Sequence, residues 1–468
     1  MPEITADIPR RIIDDFAKEI LQSRDEGPNP TEAVIFFRQD RKNNKARKIW
    51  LVPVNKLRFR KDNGRIASEV ESYEKLKAPL LENIAEDQTI IKGFLDGKDT
   101  EKTDELMNSL RHSGQLEPAI ITSDGFLING NRRKLALEKL YEETHDEDYK
   151  WMRVVILPGK NDNDQGGPPT PLEIEQIENR YEFQTLGKAE YFNFDRAIAM
   201  RRKINDVGMD LESQLMDNPE YAHLNEREFK KAVEKFKKDF LDPLESVDDY
   251  LEATGNAGLY TIIAQGVSDR EGRWQAFLDY SNSVQRKLSN EKERIKLGIS
   301  EDEVGKVKDV AFKVIRQRDF KDISKLYSIM RKFPKLIADQ EAKKALFELT
   351  SIPMDPQATG DPREKDREWQ HKNSEKVIRQ VKKSLQALDW SKTKAEPIQI
   401  LEAVINDLNR NSLDPRTLTL TDLPVAMKLA DKIKELADGL SSDYYHMKKD
   451  YGSEAVLEKF AEKYRVTS

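Results

Sequence analysis

The chain has no cysteine, which excludes disulfide staples, thiolate nucleophiles and cysteine-ligated zinc. Its five histidines, His112, His145, His223, His371 and His446, stand singly with no ligand spacing, so each reads as an ordinary surface or partner-bonded residue. No G-x-x-x-x-G-K-[ST] loop, G-x-G-x-x-G fingerprint or G-x-S-x-G elbow occurs. No stretch approaches the roughly 18 apolar residues of a membrane span. The start Met1-Pro2-Glu3-Ile4-Thr5-Ala6-Asp7 lacks a basic-then-apolar signal pattern, so a cytoplasmic location without a membrane partner is expected.

Positive charge is also not in excess: the formal net charge is -6, which argues against a protein that coats nucleic acid over its whole surface. Any DNA contact is therefore expected to be local. The lysines Lys230, Lys231, Lys235, Lys237 and Lys238 crowd one helical stretch, and such a run reads first as a solvated helix face. Hydrophobic residues make up 37% of the chain and charged residues 35%, a balance that suits exposed amphipathic helices better than a thick β core. At 468 residues the chain is long enough for about three domains.

What is present falls into an ordered series. Residues 1–30 carry a helical segment, Ile12 to Leu21, that ends at Gly27-Pro28-Asn29-Pro30. Strand-like runs Ala33–Phe37 and Lys48–Val54 predict a hairpin; helical patterning covers about 69–95 and 103–112; Pro118–Thr122 and Phe126–Ile128 predict two short strands joined at Asp124-Gly125. A helix over Arg132–Tyr141 and a strand over Met152–Leu157 follow, then a breaker-rich loop from Gly159 to Pro171. Beyond that loop every pattern is helical: about 172–210, 224–253, 270–292, 302–320, 322–349, 365–389, 395–410 and 422–466. The expected domains are 31–170, a helical region 171–253, a helical domain 254–350, a linker 351–364 with three prolines, and a C-terminal helical domain 365–468. Unpartnered stripes such as Ile400–Leu408 lead to an expectation of self-association into a homo-oligomer.

Chemistry concentrates where the period changes from strand to helix. Asn129-Gly130 tolerates positive φ, Asn131 is suited to cap the next helix, and Arg132 and Arg133 sit in its first turn. Free N–H groups and the positive dipole end at a helix start form an anion site, and two guanidinium groups add charge-assisted phosphate contacts. Arginines there oppose the dipole, so a negative guest is expected; the competing reading is a plain cap with solvent-exposed arginines.

Three stretches then follow in order: Val52–Arg58, Asp104–Pro118, and Asp124–Ala136 with Gly130-Asn131-Arg132-Arg133. Together they resemble the N-terminal domain of the ParB/sulfiredoxin superfamily, over about residues 48–210. A sulfiredoxin proper needs a cysteine and is excluded. The resemblance implies an α+β nucleotide-binding domain followed by a mostly α-helical C-terminal region. By the same resemblance Gly114, Gln115 and Pro118 line the sugar or base side, and Gly130, Asn131, Arg132 and Arg133 hold the triphosphate of a nucleotide such as CTP or ATP. A third family box has its counterpart in Glu178-Asn179, with Glu178, Asn179 and Glu182 in catalytic roles and Glu178 as a ligand of Mg2+. Glu178 and Glu182 stand one helical turn apart, although exposed helix acids would show the same spacing.

The chain departs from partition ParB proteins at two points. Arg180 directly follows the Glu-Asn pair, with Glu182 where the family has an arginine, and Asn131 replaces the usual glutamate. Three functions are therefore carried forward. The first is an NTP-dependent switch or NTPase that regulates DNA engagement, in partition, transcription control or defence against mobile DNA. The second is a small-molecule kinase or nuclease using the same pocket, and the third a non-catalytic interaction module with a degenerate pocket. The segment Asp210–Leu251 is where the resemblance places a helix-turn-helix, but the break Asp217–Glu220 is broader than the short turn such a unit uses.

Overall fold

In the computed structural model, the continuous apolar run Ile49–Pro53 lies in β2 (Arg47–Pro53), a central strand of a small four-stranded sheet of order β1-β2-β4-β3. The structure describes residues 8–28, 30–98, 100–162, 164, 166–183, 192–216, 218–221, 223–263, 267–320, 323–354, 361–409 and 413–449. Strand β1 (Glu32–Ala33) pairs antiparallel with β2, β2 pairs antiparallel with β4 (Trp151–Ile156) in the register Leu51 to Arg153, and β3 (Ala119–Ile121) lies parallel to β4 with Ala119 opposite Val154. Helices α1 (Asp14–Ser23), α2 (Ala67–Leu76), α3 (Ala85–Asp96), α4 (Thr100–Ser113), α5 (Asn131–Thr144) and α6 (Pro171–Phe183) surround it. Apolar layers cover both faces, one around Val52, Leu135 and Met152, the other around Ile120, Ile128 and Ile177.

Two strand expectations are corrected. The run Ala33–Phe37 pairs only at Glu32 and Ala33; Ile35 and Phe37 keep their alternate burial by entering the layer under α6, and the chain then turns back through Asp40 N–H to Phe37 O (3.0 Å). Phe126–Ile128 is not a regular strand either. Its groups alternate between two neighbours: Thr122 N–H donates to Phe126 O and Ile128 N–H to Ile120 O, while Leu127 N–H donates to Arg58 O (each 2.9 Å). The turn at Asp124-Gly125 does form, and the fully buried Asp124 carboxylate accepts from Arg10 (2.8 Å), Ile13 N–H (3.1 Å) and Thr122 Oγ1 (2.6 Å).

The helical patterns also divide differently. The expected helix 69–95 breaks between Leu76 and Ala85, because Pro79 bars continuation and forces its predecessor out of the helical region. The expected helix 322–349 breaks at Asp339, whose side chain caps the next helix through Ala342 N–H (2.9 Å). Conversely 365–389 and 395–410 merge into one helix, Pro362–Leu408. The expected helix 172–210 is seen as α6 and α7 (Asn193–Val207), with 184–191 outside the described residues, as are 355–360 of the expected linker and 450–466 of the last helix.

The chain forms two compact units, Met1–Asp389 and Trp390–Ser468. Within the first, one apolar core runs from Phe194 and Leu244 through Trp274, Phe312 and Ile329 to Trp369, Val377 and Leu388. This core holds residues on both sides of the boundary expected at 253/254 and of the linker expected at 351–364, and across the latter Trp369 Nε1 donates to Pro353 O (2.8 Å). Helices α8 (Leu211–Met216) and α9 (Glu226–Phe236) form a small cluster with α7 around Leu215, Phe229 and Val233. In α9 the residues Arg227, Lys230, Lys231 and Lys235 are exposed. A widened helical turn, Lys237–Leu241, joins α9 to α10 (Asp242–Ala253). In the second unit none of the described residues is buried. No described helix is long and apolar enough to cross a membrane.

Candidate functional site

Strand β3 is fully buried, and the chain returns beside it in the segment Phe126–Gly130. The Asn129 Oδ1 accepts from Ile120 N–H (2.7 Å), which holds the returning segment in place. Gly130 then adopts φ +88°, and α5 begins at Asn131. A Cβ at Gly130 would lie 2.7 Å from the Ala119 Cβ and 3.0 Å from the Met152 Cε, so only glycine lets the helix start this close to the sheet. Lys134 N–H closes the first turn on Gly130 O (2.9 Å), which leaves the N–H groups of Asn131, Arg132 and Arg133 without intrahelical acceptors. The expectation that Asn131 caps the helix is corrected: Gly130 occupies the cap position and Asn131 is the first helical residue.

This helix start forms one wall of a cleft of about 380 Å³. Asn63 and Arg65 ahead of α2, four residues of α4, Glu117, and Glu178, Tyr181 and Glu182 of α6 complete it. Asn131 is buried, and its Oδ1 has no hydrogen-bond partner. Rotating the amide by 180° puts its NH2 donor in the same place, so this side chain can serve a guest of either polarity. Arg133 is half-buried and donates to Glu117 O (2.7 Å); burial pushes its guanidinium below the usual value and the nearby Glu117 carboxylate only partly offsets this. A cation desolvated in this way gains most from an anion. Tyr181 packs its ring edge-on against Phe36, with centroids 5.4 Å apart, and burial raises its hydroxyl.

Behind the cleft lies a buried ion network. Arg60 donates to Glu175 (2.8 Å) and Glu178 (3.3 Å), and Arg202 of α7 bonds Glu175 (3.2 Å) and Asp62 (2.8 Å). Burial works against ionisation of Glu175 and Asp62, yet Arg202 and Arg60 outweigh it and hold both below the ordinary carboxylate range. For Glu178 burial wins, helped by the charge of Glu175, and its carboxyl is raised. Glu178 also accepts from Gly64 N–H (3.2 Å), while Glu182 is paired with Arg196 (3.3 Å) and Lys203 (3.5 Å). Asp62, Asn63 and Gly64 thus tie the cleft wall to α6 and α7 at the border between the sheet region and the helical core.

The structure brings Gly130, Asn131, Arg132, Arg133, Glu178 and Glu182 to this one cleft. It does not bring Gly114, Gln115 and Pro118 there. Gln115 faces the sheet edge: its Oε1 accepts from Arg153 N–H (2.7 Å) and its Nε2 donates to Arg153 O (2.7 Å), so the amide prolongs β3 by one mock strand residue. Gly114 ends α4 at φ +64° with open space around it. Asn179 faces away from the cleft as well, donating to Gln214 O (2.7 Å) and accepting from Lys203 (3.3 Å). Sequence reasoning missed Lys102, Glu105, Leu106 and Ser109, whose spacing of i, i+3, i+4 and i+7 places them on one face of α4 and was the available signal. It also missed Asn63, Arg65, Glu117 and Tyr181, which carry no local pattern.

The donor set suits an anion better than a metal. Glu178, the expected Mg2+ ligand, and Glu182 one turn on already face cations, and the described residues contain no cluster of three or more histidine, aspartate and glutamate side chains arranged for an ion. No family model matches the chain, and no curated protein or solved structure shows significant similarity to it.

Proposed function

We propose that this protein is a ligand-responsive switch that binds a nucleotide through its phosphates at the start of α5. The observation that carries the reading is Arg133, desolvated at the mouth of a helix start whose N–H groups have no intrahelical acceptors, beside an Asn131 oxygen with no partner. Leu106, Ile128 and Tyr181 supply apolar and aromatic surface for the rest of the ligand.

The switch follows from the cleft's far wall. Glu178 is at once a cleft residue and a member of the Arg60–Glu175–Arg202 network that joins α6 to α7. A ligand that prefers one arrangement of this wall shifts how the sheet region docks on the helical core. The ParB resemblance further implies that DNA engagement is what the switch regulates, and the exposed basic residues of α9 are the surface for it.

Isothermal calorimetry with ATP, CTP and GTP tests the ligand. Arg133→Ala is expected to abolish binding while circular dichroism and melting stay native; unchanged affinity in the variant would refute the proposal. For DNA, Lys230→Glu with Lys231→Glu should weaken duplex binding and flatten its salt dependence.

A further inference from the structure

The carboxylates on the cleft walls are Glu105, Glu117, Glu178 and Glu182, and three of them are spoken for. Glu105 pairs with Lys102 (2.8 Å). Glu178 receives Arg60 and the Gly64 N–H, and Glu182 receives Arg196 and Lys203. Lys203 and Arg60 are themselves buried, with side chains 3% and 8% exposed, so a cation arriving at Glu178 or Glu182 would meet two positive charges that have no water to retreat into. Magnesium demands near-ideal octahedral geometry and usually enters with one or two carboxylates plus phosphate oxygens. Here only Glu117, at the cleft's exposed rim, is left to offer one.

The same pairing engages the carboxylates that would activate a water molecule. A general base needs a lone pair directed at the proton it takes; Glu178 already accepts from the Arg60 guanidinium and the Gly64 amide, and Glu182 lies at ion-pair distance from Arg196 and Lys203, so neither is a free base. No histidine lines the cleft. Phosphate charge is met instead by protein: Arg65, Arg132, Arg133 and the N–H groups of the helix start.

We infer that the cleft binds its phosphorylated ligand as a free anion, without a divalent cation, and leaves the phosphoanhydride bonds intact, so that the protein reads ligand concentration and does not consume ligand. This inference rests on the proposed function and narrows it. It sets the chain apart from a magnesium-dependent NTPase, the activity that Glu178 and Glu182 suggest by spacing alone.

The test is calorimetry of the full chain with ATP and with CTP, in excess EDTA and in excess MgCl2, with inorganic phosphate release followed over the same samples. Expected are affinity in EDTA equal to or tighter than in magnesium, a loss of about tenfold or more in Arg133→Ala, and no phosphate release above that of Arg133→Ala. Binding that appears only with magnesium, or phosphate release that depends on Arg133, overturns this inference while leaving the cleft as a nucleotide site. Absence of binding in both buffers overturns the nucleotide reading, and this inference with it.

Discussion

Gly130 and Ala119 approach so closely that a methyl group on the glycine would lie 2.7 Å from the alanine Cβ. The contact sets the distance between the first turn of α5 and β3, and so the position of the cleft wall. Gly130→Ala meets both a left-handed φ of +88° and this clash, and is expected to cost roughly 2–4 kcal/mol. Urea denaturation should show a lower midpoint; an unchanged midpoint would mean that the helix start is not seated as described.

Gln115 separates the structure from the family resemblance. In the structure its amide completes two hydrogen bonds to the Arg153 backbone. Gln115→Ala should therefore lower stability by about 1–2 kcal/mol while nucleotide affinity at Arg133 stays as it was. A variant of normal stability that no longer binds nucleotide would place Gln115 back in the pocket.

Arg202 carries the link between the two regions of the first unit. Arg202→Ala leaves the buried Glu175, and the partly exposed Asp62, without one of their cations, and breaking a buried pair such as Arg202–Glu175 costs roughly 3–5 kcal/mol. Both acids have lowered folded values, so the stability they contribute is present above the unfolded carboxylate range and lost as pH falls through those values. The gap between variant and wild type should be widest near neutral pH and narrow on acidification, as read by chemical denaturation at several pH values. A gap that does not vary with pH would show that charge pairing is not what Arg202 provides.

Glu71 has the opposite sign. Burial, with Asp248 and Asp206 adding to it and Arg201 and Arg202 opposing, pushes its carboxyl up to about 7. Because the folded value lies above the unfolded value of 4.5, stability declines as pH rises from about 4.5 to 7, and the loss is complete above that. Glu71→Gln removes the dependence and should melt higher than wild type at pH 8 and closer to it at pH 5. The side chain is 36% exposed, so solvent screening keeps the difference modest. A variant that melts lower at pH 8 would contradict this account.

Several of these features can be read from near neighbours along the chain. A positive φ, a helix start and a pair of arginines are local chemistry, and this is why Gly130 to Arg133 stand out in the sequence and lie together on the cleft. Tight turns and long amphipathic helices are legible for the same reason, since their signals span only a few residues.

What sequence could not supply depends on residues that meet only after folding. Ile35 and Phe37 alternate like a strand but bury themselves without a partner strand, because α6 covers them. Glu178 and Glu182 have the spacing of a metal pair, yet Arg60 and Lys203, brought in from 118 and 21 residues away, turn them into anchors. Whether an acid binds an ion, moves a proton or holds two regions together is set by the charges packed against it, and that packing is fixed by the whole fold.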